Sequence, residues 1–296
     1  MSASRTSEAL GGAAALRSLI AEGGIIMAPG AADPLTARLV EQAGFPAVYM
    51  TGFGATASRL GMPDLGLMTQ TEMCDHARNM TRAVSIPVIA DADTGYGGPS
   101  NIERTVHEYI RAGVAALHLE DQASPKRCGQ LAGIRLIDAE DNMHRLACAL
   151  DARGDSDLIV IGRTDALPAA GIDEAVRRAA LYRDAGVDLV FVDGVKLIAE
   201  VETIARRVEG PKIISIVDGN ETTALTANEL RAMGFSIVLY ALSTLFSAVK
   251  ASRDTLDELR RAGTPKARAD AMVTYAQFAE LVDLAGHQKR ADRYEG

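Results

Sequence analysis

Three cysteines, Cys74, Cys128 and Cys148, are all the chain has, and no two stand at a paired spacing. That argues against a disulfide framework or a zinc site and suits a reducing compartment, with the cytoplasm as the default expectation. Basic charge is short too: Lys plus Arg number 31 against 39 Asp plus Glu, a net charge of -8. The footprint of a nucleic-acid or anionic-membrane binder is missing, so the expected partner is small, and an anionic one would need local cations or a metal. No apolar run approaches the ~20 residues of a spanning helix, and the Ala-, Ser- and Arg-rich start is interrupted by Glu8, Arg17 and Glu22 before it makes a signal-peptide core. Leu10, Ala14, Arg17 and Leu19-Ile20 read instead as an amphipathic helix leading into Gly23-Gly24. Also absent are a composition break, an interdomain linker and the G-x-G-x-x-G spacing of a dinucleotide fold.

What the chain does have is apolar material, 48% of its residues, cut into short runs. These are Ile25 to Pro29, Ala47 to Gly52, Pro87 to Asp93, Ala115 to Asp121, Leu158 to Asp165, Leu189 to Gly194, Lys212 to Val217 and Ser236 to Ala241. Helix-period stretches such as DPLTARLVEQAG, NIERTVHEYIRAG, DEAVRRAALYRDAG and TANELRAMG lie between them, each ending in a glycine where a helix needs a left-handed residue. Eight βα units in one unbroken chain predict a single (β/α)8 barrel over residues 1–296, in preference to an open doubly wound sheet. The helix-period sequence after the eighth run exceeds what one barrel needs and breaks at Gly263-Thr264-Pro265. Residues 264–296 are therefore expected to form a helical extension that packs on something else, such as a second subunit.

In a barrel the site forms at the C-terminal ends of the strands, where four runs place polar residues two apart: Tyr49 and Thr51, Asp91 and Asp93, His118 and Glu120, Arg163 and Asp165. Asp193 and Asn220 follow at later ends. If Asp91 and Asp93 share a strand face, their charges repel unless a proton or cation lies between them, and magnesium, with its taste for oxygen ligands and retained waters, suits them. His118 is expected to orient Glu120 or substrate rather than hold the metal. The loop from Asp121 to Gly133 is long and polar and reads as a lid. On it, Lys126 and Arg127 are expected to favour the thiolate of Cys128 and so ease its proton exchange. Cys74 and Cys148 fall in helix-period sequence and are expected in the core.

YMTGFG, DADTGYGG, LHLEDQ, KRCGQ and GRTDA, in this order, resemble the isocitrate lyase and phosphoenolpyruvate mutase superfamily, and its small methylisocitrate lyase-like members most. The resemblance runs from about Ile25 into the C-terminal helices. It implies a (β/α)8 barrel with its eighth helix exchanged between subunits of a dimer or dimer of dimers. It also implies Mg2+, for which Mn2+ may substitute, at the strand ends. Asp93 would be the direct ligand, with Asp91, Asp64 and Glu120 acting through waters. Backbone amides of Thr51, Gly52 and Phe53 would hold a substrate carboxylate. Arg163 would meet the carboxylate or oxyanion, and Gly129, His118, Asp193 and Asn220 would line the pocket. Cys128 would protonate the departing carbanion, with Tyr49, Lys126 and Arg127 in the catalytic set and Tyr49 or a metal-bound water as base. Two positions depart from the family pattern: Gln130 stands for a His and Asp193 for a Glu.

The function so implied is Mg2+-dependent carbon–carbon cleavage of a 2-hydroxy di- or tricarboxylate, of the 2-methylisocitrate or alkylmalate type, to a 2-keto acid and a dicarboxylate. Oxaloacetate decarboxylation, a phosphonopyruvate-type mutase or hydrolase, and a non-catalytic keto-acid binder are the alternatives.

Overall fold

A computed structural model describes residues 12–295 of the chain. Eight strands, β1 (Ile26–Ala31), β2 (Val48–Met50), β3 (Val88–Asp91), β4 (Ala116–Glu120), β5 (Ile159–Thr164), β6 (Leu189–Val192), β7 (Lys212–Ile216) and β8 (Ile237–Tyr240), form a closed barrel in chain order. Every pairing is parallel, including the closure of β8 on β1. Each apolar run of the sequence is thus a strand, and the (β/α)8 fold is as expected. The N-terminal amphipathic helix is present as Gly12–Ala21, while Leu10 lies outside the described residues.

Period-two alternation builds the barrel's two cores. Ile89, Ile159, Ile161, Phe191, Ile213 and Leu239 belong to one cluster, which fills the barrel; Val88, Ala90, Val160, Val190, Val192 and Val238 belong to another, shared with helix residues such as Tyr109, Leu146 and Tyr182. Each Val, Leu, Ile or Phe so buried contributes about 1.5–3 kcal/mol relative to exposure. Helices start and stop where the residues allow. Thr69 and Glu72 make a reciprocal cap for Gln70–Ala83, and Gly113, at φ 83°, closes Pro99–Ala112 in the left-handed region. Cys74 is buried as expected, but Cys148 is only half-buried, its Sγ 3.4 Å from the Pro99 carbonyl, because its helix presents it at the edge of the core.

By its internal contacts the chain divides at Ser243 and Thr244, well before the extension expected from residue 264. The reason is the long helix Ser243–Ala262, which buries none of its residues and exposes Phe246, Val249 and Leu256. The short helices Tyr275–Leu281 and Leu284–Tyr294 follow it, and Leu281 is the one buried side chain among described residues 244–295. No helix among the described residues is long and apolar enough to cross a membrane.

Candidate active site

Strand register brings the polar ends together. Asp91 pairs across to His118, and Glu120 to Arg163, so three neighbouring strands deliver an acid, an imidazole, an acid and a guanidinium to one mouth. Each continues an inward-facing series, Ala116–His118–Glu120 on β4 and Ile159–Ile161–Arg163 on β5. Asp93 arrives differently. β3 ends at Asp91, and Asp93 sits beyond it at φ 47° with its N–H donating to Asp91 Oδ1 at 2.9 Å. The two carboxylates are therefore neighbours through a turn, and not through a shared strand face as the spacing suggested.

Six carboxylates, Asp64, Asp91, Asp93, Glu120, Asp165 and Asp193, lie in this mouth less than a tenth exposed, against two cations, Lys126 and Arg163. Lys126 Nζ is 2.6 Å from both Asp64 Oδ1 and Asp93 Oδ1, but only the Asp64 contact has hydrogen-bond geometry. Asp93 Oδ1 and both oxygens of Glu120 are buried with no hydrogen-bond partner. Arg163 Nη2 lies 2.7 Å from Asp193 Oδ2, 2.9 Å from Asp165 Oδ1 and 3.3 Å from Glu120 Oε2, and the guanidinium rests 5.4 Å from the Phe191 ring centre.

The arrangement sets the proton positions. Burial pushes Asp93, Asp165 and Glu120 above the usual carboxylate range. Burial would also raise Asp91, but His118 when protonated, Lys126 and Arg163 outweigh it and bring it down. His118 is fully buried and drops to about 4, mainly by desolvation, so it is neutral at pH 7. Its Nε2 is 3.0 Å from Tyr49 Oη and its Nδ1 is 3.7 Å from Asp91 Oδ1, which fits Tyr49 donating to Nε2 with the ring proton facing Asp91. Tyr49 is raised well above 10 by burial and then by Asp91, so the phenol stays protonated and is a poor base.

Cys128 corrects another expectation. Its thiol is pushed up to about 12, first by burial, because Lys126 turns to Asp64 and Asp93 and exposed Arg127 donates to the Ala132 carbonyl at 3.3 Å. The neighbouring cations do not make a thiolate; the site keeps a thiol.

The loop after β4 is tied down over the mouth. Gln122 holds Arg127 by Nε2 to the carbonyl at 2.7 Å and by Oε1 from the N–H at 2.9 Å, while Cys128 N–H donates to the Asp64 carbonyl at 3.1 Å. Beneath it is a cavity of about 40 Å³ lined by Tyr49, Thr51, Phe53, Asp64, Asp91, Cys128, Gly129, Gln130, Arg163, Phe191 and Asp193, with Ser215, Val217, Ala241 and Leu242. That volume holds a water or so with the loop in this position. Two glycines permit the closure: a Cβ on Gly129 would overlap Asp193 Oδ2 and come within 2.7 Å of Asp165 Oδ1, and one on Gly52 would sit 2.5 Å from Asp91 Oδ2.

Most expected site residues converge here, with exceptions. Arg127 faces away. The Gly52 N–H is taken by Asp91 Oδ2 at 3.2 Å, and Thr51 caps the helix Gly52–Leu60 through Gly54 N–H at 3.4 Å. Asn220 reaches the mouth indirectly, its Nδ2 donating to Gln130 Oε1 at 3.0 Å. Reading the sequence did not single out Phe191, Ser215 or the framing role of Asp121. That acid accepts from Thr164 Oγ1 at 2.6 Å, Asp165 N–H at 2.9 Å, Tyr182 Oη at 2.8 Å and Arg178 Nη1 at 3.0 Å. Only its place at a strand end could have signalled it.

A closed parallel barrel with an acid-rich, arginine-bearing mouth under a loop has the build of an enzyme whose site lies at the C-terminal strand ends. Residues 16–260 match the phosphoenolpyruvate phosphomutase family. The chain is 40% identical to 2,3-dimethylmalate lyase of Eubacterium barkeri over 272 residues, 92% of this chain and 94% of that one. It is 40% identical to 2-methylisocitrate lyase of Aeropyrum pernix over 275 residues, 93% of this chain and 88% of that one. A solved oxaloacetate acetylhydrolase, bound to 3,3-difluorooxalacetate, superposes with a TM-score of 0.90 at 36% identity, covering 98% and 99% of the two chains. The chain belongs to the PEP mutase/isocitrate lyase superfamily, as an enzyme resembling its lyases over nearly its full length.

Proposed function

We propose that the protein cleaves a carbon–carbon bond in a 2-hydroxy di- or tricarboxylate of the alkylmalate or 2-methylisocitrate type, with a divalent cation, Mg2+ or Mn2+, at the mouth. The observation that carries this reading is Cys128, a thiol held protonated in the cavity that also holds Arg163 and Asp91. Breaking C2–C3 leaves an electron pair on C3, and a protonated group beside it is what that carbon needs; a positioned acid of this kind is worth about 10²- to 10⁴-fold.

The donor set fits a hard cation. Carboxylates outnumber cations, and Asp93 Oδ1 and both Glu120 oxygens accept no hydrogen bond, their nearest cations being Lys126 Nζ at 2.6 Å from Asp93 Oδ1 and Arg163 Nη2 at 3.3 Å from Glu120 Oε2. A hard cation of this kind is commonly held by one or two carboxylates, with water and substrate completing its shell. Asp93 and Asp91, with Asp64 and Glu120 further out, would hold it. Such a cation would supply polarisation of the substrate's C2 oxygen and lower the cost of negative charge there. Arg163 neutralises the carboxylate next to C2, Cys128 Sγ gives its proton to C3, and neutral Tyr49, held by His118, orients the C2 hydroxyl while solvent takes its proton.

Oxaloacetate is a second substrate reading, favoured by the likeness to a solved oxaloacetate acetylhydrolase. We further propose that the chain works as a homo-oligomer, since the helix Ser243–Ala262 exposes apolar side chains that a second copy would cover. The test is keto-acid release from a panel of alkylmalates, 2-methylisocitrate and oxaloacetate, with and without EDTA. Turnover restored by Mg2+ supports the reading; full activity in chelator, or oxalate binding without turnover of any member, defeats it.

A further inference from the structure

The turn after β3 runs against the preferences of its own residues. Asp93, at φ 47°, and Tyr96, at φ 61°, are two of the three non-glycine residues with positive φ among the described residues, and Gly95 and Gly97 between and beyond them are positive too. A side chain at positive φ crowds its own backbone, so such a turn persists only where its surroundings hold it. On one side the hold is local: the Asp93 N–H donates to Asp91 Oδ1 at 2.9 Å and the Gly95 N–H to the Ala92 carbonyl at 2.9 Å. On the other it comes from Arg145, half-buried on the outer helix Ala139–Arg153. Its Nη2 donates to the Thr94 carbonyl and, at 3.1 Å, to the Gly97 carbonyl, 51 and 48 residues away along the chain.

We infer that Arg145 is the positioning residue for Asp93: by tying together the two carbonyls that follow Asp93, it holds the turn in shape and keeps that carboxylate aimed at the mouth. A planar guanidinium presents its N–H groups in a fixed fork, which suits a bridge between two carbonyls of set separation. Without the bridge Asp93 is free to relax to negative φ, and its carboxylate swings with the backbone. The hydrogen bonds of Arg145 go to backbone carbonyls, so it acts through Asp93 and takes no chemical part. This rests on the proposed cation site and adds the residue, outside the barrel, that decides how well that site is formed.

The probe is Mn2+ alone, titrated without substrate and followed by its electron paramagnetic resonance signal. Arg145→Met keeps the packing of the stem and removes the donors, and should weaken Mn2+ binding about 10- to 100-fold, the usual cost of losing a residue that orients a metal ligand. The sign is diagnostic, because removing a positive charge near a cation site would by itself tighten Mn2+ binding. Arg145, Asp93, Thr94 and Gly97 all line one chamber of about 670 Å³, roomy enough for a free guanidinium ion. Guanidinium, far below denaturing concentrations, should therefore restore Mn2+ affinity to Arg145→Met, while methylammonium should not. Arg145→Lys, one atom shorter, should fall between the two proteins, and it decides the matter if Arg145→Met does not fold. Wild-type or tighter Mn2+ binding in the folded variant overturns the inference and leaves the cation site standing. So does weakened binding that follows a lowered melting temperature and ignores guanidinium, which marks a merely structural arginine. Failure of the wild-type protein to bind Mn2+ overturns the cation site and this inference together.

Discussion

Arg163 Nη2 and Asp193 Oδ2 meet at 2.7 Å across the barrel mouth, joining the end of β5 to the residue just past β6. Asp193→Ala should therefore loosen Arg163, which retains Asp165 at 2.9 Å. Breaking a buried pair costs about 3–5 kcal/mol when no partner remains; with Asp165 and Glu120 still beside the guanidinium, about 1–3 kcal/mol is expected. Thermal unfolding and kcat/KM should both fall, the latter by about tenfold or more, with Asp193→Glu recovering part of each. An alanine variant of wild-type stability and activity would remove the pair from its role.

Cys128 makes a prediction in two pH ranges. At pH 8 its alkylation by iodoacetamide should be roughly three orders of magnitude slower than that of an ordinary exposed thiol, the ratio of thiolate fractions for groups near 12 and 8.5. Above about pH 9 the unfolded chain sheds a proton that the folded state keeps, so this thiol's contribution to stability declines as pH rises toward 12. Rapid alkylation at pH 8, read by mass spectrometry of the Cys128 peptide, would contradict a half-buried thiol held protonated.

Replacing the same residue separates the two substrate readings. Cys128→Ser should lower alkylmalate cleavage by about 10²- to 10⁴-fold, since a hydroxyl is a far weaker acid. Oxaloacetate decarboxylation should persist, because solvent can protonate its enolate. Equal loss of both, together with lost oxalate binding, would mean that the loop had been damaged.

Gly129→Ala places a methyl against Asp193 and Asp165, so the loop should no longer close. Turnover is expected to fall by about a hundredfold, the cost of misplacing catalytic groups by an ångström, with unfolding temperature nearly unchanged. Steady-state kinetics beside a melting curve decides it.

Asp121→Ala removes the acceptor of four hydrogen bonds and leaves buried Arg178 with Glu174 as its one carboxylate partner and the Ile137 carbonyl. A loss of about 3–5 kcal/mol in urea unfolding is expected. A smaller cost, near that of a surface substitution, would show that Asp121 frames nothing.

For assembly, light scattering should find an oligomer at micromolar concentration; a monodisperse monomer would refute the proposal that a second copy covers the helix Ser243–Ala262.

The order of eight strands, their period-two burial and the polar residues at their ends were all determined by the sequence itself. Strand identity is local, and alternation decides which side chain turns inward, so His118, Glu120 and Arg163 were legible as mouth residues from their spacing alone. What only tertiary structure decided were contacts between segments distant in the chain and the desolvation they bring. Asp93 turns off its strand at φ 47°; Lys126 reaches back 62 residues to Asp64; Cys128, flanked by two cations in sequence, has neither beside its thiol. Charge spacing along a chain is blind to such reversals, because a lysine's long stem lets its ammonium settle wherever buried carboxylates lie, while the backbone beside it buries a neighbour and holds that neighbour neutral.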